Sequence, residues 1–114
     1  MEIDVFAGLP VGDYPAALEW YPLLLGDVET FDPNDTERVF TLGEHRHVYV
    51  VLDRERAGRG LVTLFVEDHD AFVESASSRG VEPARRETYE NGVRKTTYRD
   101  PEGNEIGIGG APVA

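Results

Sequence analysis

The chain has 114 residues, a net charge of −11 and no cysteine. The length suits one domain, the charge repels nucleic-acid phosphates, and the missing cysteine excludes disulfides, thiolate nucleophiles and cysteine metal sites. Residues 1–53 carry eleven acids against Arg38 and Arg46, whereas residues 54–114 set eleven acids against nine bases. The negative field is therefore concentrated in the first half, where it either attracts a cationic ligand or forms a solvated surface.

Residues 2–11 alternate, with Ile3, Val5, Ala7, Leu9 and Val11 on one parity, which predicts a strand with one buried face. The acidic Met1-Glu2-Ile3-Asp4 start lacks a basic segment followed by an apolar run, and no stretch nears the ~20 residues of a membrane span. The expectation is a soluble, cytoplasmic protein without a membrane partner. Asp13 is a good N-cap and Pro15 fits a first helical turn. Ala17, Trp20, Tyr21 and Leu24 follow at helical spacing up to Gly26. Pro22 predicts a kink near Leu18 or an early end to regular helix.

Strands are expected near Asp27–Phe31 and Arg38–Leu42, separated by the turn-rich Asp32–Asp35, and another over His45–Leu52. The charged, glycine-flanked Asp53–Arg59 segment reads as a connection. Leu61–Val66 predicts a strand, Asp68 or Asp70 the cap of a helix that stops at Gly80, and Val81–Tyr89 an irregular or edge segment because of Pro83. Asn91-Gly92 predicts a hairpin turn before a strand over Val93–Arg99. Asp100-Pro101-Glu102-Gly103-Asn104 is a tight turn, with Gly103 and Asn104 suited to positive φ and its acids to capping. The last strand is Glu105–Gly109.

The second half thus repeats the first. Val11-Gly12-Asp13 and Val66-Glu67-Asp68 each end a strand before a helix, and the two aspartates lie 55 residues apart. A unit of that length cannot bury its own apolar face, so the two should share one core. The expected architecture is α+β: one domain over residues 1–114, with βαβββ modules at about 2–53 and 60–110. Val5, Leu9, Val48 and Ile106 should face the helices.

This order, with Trp20-Tyr21-x-Leu23-Leu24-x-Gly26 in the first helix and Asp100–Asn104 before the last strand, resembles the vicinal oxygen chelate superfamily, which includes glyoxalase I, extradiol dioxygenases and bleomycin-resistance proteins. The resemblance covers almost the whole chain. It implies a curved mixed sheet shaped as a cup, helices on the convex face, a small organic ligand in the cup, and a homodimer. The metal-ligand positions of the family fall here on Phe6, Leu61 and Gly107, with a fourth on the strand ending the first half. Three of the four have no donor atom, so no metal or other cofactor is expected.

Superposing Gly43 on Gly103 places His45 opposite Glu105 and His47 opposite Gly107, which turns His45, His47, Tyr49 and Val51 toward the cup. His45 and His47 share one face of a strand. Two imidazoles rarely complete a metal site, and Glu105 joins them only if the final strand lies adjacent. Phe6, Phe40, Phe65 and Tyr98 either line the cup or pack the core, and Trp20 with Tyr21 suits the core. Ser75, Ser77 and Ser78 have no histidine near in sequence to activate them. The expected ligand-binding residues are Phe6, His47, Tyr49, Leu61, Glu105 and Gly107, with no catalytic residue assigned.

Three functions remain open at this level. One is metal-free binding, with sequestration of an antibiotic or other toxic aromatic compound as the form the resemblance implies. The second is an isomerase, lyase or dioxygenase-type enzyme using His47, with Tyr49 or Glu105, or a variant metal site at His45 and His47. The third is an interaction module with a side-chain-filled cup.

Overall fold

The computed structural model describes residues 1–113. Two successive βαβββ modules make up the chain. The first runs β1 (Val5–Val11), α1 (Tyr14–Leu25), β2 (Glu29–Asn34), β3 (Glu37–Gly43) and β4 (Arg46–Leu52). The second runs β5 (Leu61–Val66), α2 (His69–Ser78), β6 (Arg85–Thr88), β7 (Arg94–Arg99) and β8 (Glu105–Gly110). Each module forms its own four-stranded open sheet, ordered β1-β4-β3-β2 and β5-β8-β7-β6. The first strand pairs parallel with the last, and the other pairs are antiparallel.

The period-2 pattern decides which face is covered. Leu9, Val11, Phe40, Val48 and Val50 of the first sheet are buried, as are Tyr98, Ile106 and Ile108 of the second. They join Ala17, Tyr21, Leu24 and Ala76 of the two helices in one hydrophobic cluster. Val5 departs from the expected pattern: at the first residue of β1 it is 59 % exposed. Residues 2–4, expected in β1, are not strand.

Pro22 neither ends nor shortens α1. It sits in the last turn, where only the carbonyl one turn back is left unpaired, and the Pro22 carbonyl itself accepts from Gly26 N–H at 3.0 Å. Asp13 and Asp68 cap the two helices, accepting from Ala16 N–H at 3.1 Å and Ala71 N–H at 3.0 Å. The strand expected over Asp27–Phe31 lies later, at Glu29–Asn34, with a bulge between Phe31 and Asn34.

A polar knot ties the modules together. The Glu102 carboxylate accepts from Gly12 N–H (2.7 and 2.8 Å) and Asp13 N–H (2.9 Å), which places its charge at the start of α1. Asn104 donates to the Pro10 carbonyl (2.7 Å) and accepts from Gly60 N–H (2.6 Å). Gly103 has the expected positive φ of 102°, but Asn104 does not; it is fully buried as a cross-link instead. Arg79, past the end of α2, donates to the Leu23 and Leu24 carbonyls of α1 at 2.7 and 3.3 Å. These bonds satisfy helix-end groups that have no partner within their own helix.

Candidate functional site: an aromatic platform on the open sheet face

Opposite the helices, each sheet leaves one face uncovered. On the first sheet, register places Phe6 beside His47, Gly8 beside Tyr49, and Thr41 on the other side of His47. Phe6 and His47 stack, with ring centroids 4.3 Å apart and planes 15° from parallel. Phe6 is 47 % exposed, whereas the His47 side chain beneath it is 9 % exposed. One face of Phe6 is thus supported and the other is open.

His47 is held from two sides. Its Nε2 lies 3.0 Å from Asp4 Oδ2 and its Nδ1 3.2 Å from Thr41 Oγ1. The other Asp4 oxygen lies 2.6 Å from His45 Nδ1. These hydrogen bonds from His45 and then His47 hold the Asp4 carboxyl below the usual aspartate value, so it is an acceptor and both histidines donate to it. In the neutral His47 ring, the remaining Nδ1 then accepts from the Thr41 hydroxyl. Both ring nitrogens are spent inside the protein, and His47 offers a ligand its ring rather than a hydrogen bond. His45, expected on β4, lies in the turn before it with φ of 65°, a left-handed conformation that costs a non-glycine residue energy. Its hydrogen bond to Asp4 helps hold it there.

Tyr49 lies flat across Gly8, where a Cβ would come 2.6 Å from the ring. Only glycine leaves that space.

The uncovered face of the second sheet carries Leu61 and Phe65, which are 73 % and 67 % exposed. Phe65 lies over Gly109, and Lys95 covers Gly107, which is buried. Glu105 pairs with Arg99 at 3.1 Å. The conditional triad of His45, His47 and Glu105 does not form, since β8 pairs with β5 and β7 and not with β4. Phe40 and Tyr98, left between cup and core by the sequence, belong to the core, as does Tyr21. The residue that sequence reasoning missed is Asp4: one carboxylate in an acidic N-terminal stretch gives no signal of which imidazoles it meets.

A family model described as the Glyoxalase/Bleomycin resistance protein/Dioxygenase superfamily matches residues 2–108. The chain belongs to this superfamily. A glyoxalase/bleomycin resistance protein from Catenulispora acidiphila is 53% identical, with a TM-score of 0.93 over 97% of this chain and 100% of that one. Two further members of the fold are a lactoylglutathione lyase from Agrobacterium tumefaciens and TnmS3, an antibiotic binding protein from a Streptomyces species. The lyase is 19% identical with a TM-score of 0.76, covering 96% of this chain and 94% of that one. TnmS3 is 23% identical with a TM-score of 0.75, covering 97% of each chain. No curated protein matches the sequence.

Glyoxalase-superfamily membership raises the question of a metal. Phe6, Leu61 and Gly107 offer no donor atom, and Lys95 sets an ammonium-bearing side chain over Gly107 where a cation would have to approach. Among the described residues, no group of three or more His, Asp or Glu side chains is placed to hold an ion. The donor set does not fit the metal of the superfamily's enzymes.

Proposed function

We propose that this member of the superfamily is a metal-free binding protein that holds a flat, partly aromatic small molecule against the open face of its first sheet. The Phe6–His47 stack carries the reading. It sets a supported, half-exposed ring where the resemblance implies a metal ligand, and Asp4 and Thr41 fix the ring beneath it. A platform rigid before binding loses little side-chain freedom on capture. The Tyr49 hydroxyl makes no side-chain hydrogen bond among the described residues and is the polar group available beside it. The acidic first module adds attraction for a cationic ligand.

Antibiotic sequestration is the form of this function we favour, and TnmS3, an antibiotic binding protein of the same fold, is its analogue. The ligand-contacting set is Phe6, His47 and Tyr49 on the first sheet. Leu61, Glu105 and Gly107, the other expected contacts, lie on the second sheet, where Arg99 pairs with Glu105 and Lys95 covers Gly107. Exposed Leu61 and Phe65 also favour a homodimer that covers the second sheet. Sedimentation equilibrium showing only monomer at high micromolar concentration would rule that out.

Elemental analysis of gently purified protein, beside a thermal-shift panel of aromatic cations, tests the main reading. Upward shifts that grow with the logarithm of ligand concentration, without turnover or stoichiometric metal, are expected. Stoichiometric zinc, nickel, manganese or iron that survives dialysis would overturn it. A second reading, an isomerase or lyase in which His47 moves a proton, requires the Thr41 hydroxyl to turn away from Nδ1 while the Asp4 carboxylate holds the imidazole at Nε2. Turnover of a panel member, abolished by His47→Ala, would establish it.

A further inference from the structure

A cavity lies on the other side of the second sheet, in the cleft between α2 and strands β6 and β7. It measures about 600 Å³. The corresponding cleft of the first module, between the end of α1 and strands β2 and β3, measures about 390 Å³. The internal repeat explains the difference. With Asp13 aligned on Asp68, the α1 residues Tyr14, Leu18, Pro22 and Leu23 become His69, Val73, Ser77 and Ser78 on α2. On the strands, Leu9 pairs with Val50 and Leu64 with Ile108, and Val50 and Ile108 pair in turn with Arg38 and Thr96, so Arg38 becomes Thr96. Larger side chains in the first copy are smaller or more polar in the second.

The floor of the enlarged cleft is ordered. His69 is 7 % exposed, with Nε2 2.8 Å from Thr96 Oγ1 and Nδ1 3.2 Å from Asp70 Oδ1. Asp70 also pairs with Arg94. Two charges on the walls are left over. Glu74 on the helix and Arg86 on β6 form no ion pair or side-chain hydrogen bond among the described residues, whereas the neighbouring Arg94 and Ser77 are engaged, with Asp70 and Glu82. Opposite charges line one cleft without meeting each other across it.

We propose that this cleft is a second binding site, taking a small zwitterion of the amino-acid type. The guanidinium of Arg86 receives the carboxylate in bidentate fashion, Glu74 receives the ammonium group, and the Ser78 and Thr88 hydroxyls border the remaining space. The site goes beyond the aromatic platform and does not depend on it, because Arg86 and Phe6 belong to different sheets.

The test is a nitrogen-15 NMR titration of the intact chain with each free α-amino acid at millimolar concentration. Saturable shifts are expected in the amides of 69–78, 86–88 and 94–96, and not at Phe6, His47 or Tyr49. Arg86→Gln and Glu74→Gln should each weaken binding by about tenfold. Ser78→Leu, which restores the first-module residue, should abolish it with the spectrum of a folded protein, and Phe6→Ala should leave it unchanged. The proposal is overturned if no amino acid gives saturable shifts in the cleft, if simple carboxylates such as propionate bind as tightly, or if both Arg86→Gln and Glu74→Gln bind like wild type.

Discussion

Tyr21 of the first module donates its phenolic hydrogen to Asp100 of the second at 2.7 Å, with both residues buried. Burial and the adjacent Asp100 carboxylate push the Tyr21 phenol far above the usual tyrosine value, so it remains a donor at every accessible pH. Asp100 also accepts from Glu102 N–H and from the backbone and side chain of Asn104. A charged acceptor out of water needs all of these donors. Tyr21→Phe should therefore destabilise the protein by about 1.5–3 kcal/mol, measured by urea unfolding. An unchanged midpoint would mean that water replaces the hydroxyl.

Glu102 caps the helix of the other module rather than its own turn. Glu102→Ala should remove about 1–2 kcal/mol through the loss of a charged acceptor at a helix N-terminus. Glu102→Gln should cost less, since one amide oxygen still accepts from Gly12 or Asp13. Equal losses for the two variants would show that side-chain packing, not hydrogen bonding, sets the effect.

Asp4 makes stability depend on acid. Its carboxyl titrates lower in the folded chain than the 3.8 of an unfolded aspartate, because His45 and His47 donate to it. The unfolded state then binds more protons through that window, so stability rises with pH across it. The contribution is complete above about pH 5 and disappears as pH falls through the folded value. Thermal unfolding of wild type and Asp4→Asn should differ at neutral pH and converge near pH 2. A gap that persists at the acid end would assign the effect to shape rather than charge.

Gly8 should tolerate alanine in the fold but not in the site. The added methyl meets the Tyr49 ring, which is the free end of a side chain and can swing away. Gly8→Ala is expected to keep its melting temperature within a few degrees and to change the tyrosine fluorescence and ligand affinity together. A variant that binds like wild type would remove Tyr49 from the site.

Much of this architecture is legible in the chain because it rests on local, repeated signals. Alternation at Leu9–Val11 and Ile106–Ile108 marks the covered faces, and Asp13 and Asp68 mark the helix starts by the same capping chemistry. Pro22 misleads because its cost depends on how much helix follows it, and only Leu23–Leu25 do. Asn104 misleads because turn composition favours positive φ, whereas a carbonyl and an amide from distant strands claim its side chain. The stack of Phe6 on His47 follows from the β1–β4 register, which one-strand patterning does not contain. Asp4 and the α2 cleft are tertiary facts: the first needs the path of the N-terminus, the second a comparison of the two modules' filled and unfilled volumes.

The aromatic platform is the central claim, and calorimetric titration of metal-free protein with a planar aromatic cation such as ethidium tests it most directly. Wild type should bind with an affinity that falls moderately from low to physiological salt, since screening weakens the acidic attraction and leaves apolar burial intact. Phe6→Ala should weaken binding at every salt concentration by about 1–3 kcal/mol, the worth of one stacked and buried ring. His47→Ala should do the same by removing the support beneath it. If both variants bind every such ligand as wild type does, the open face of the first sheet is not the site.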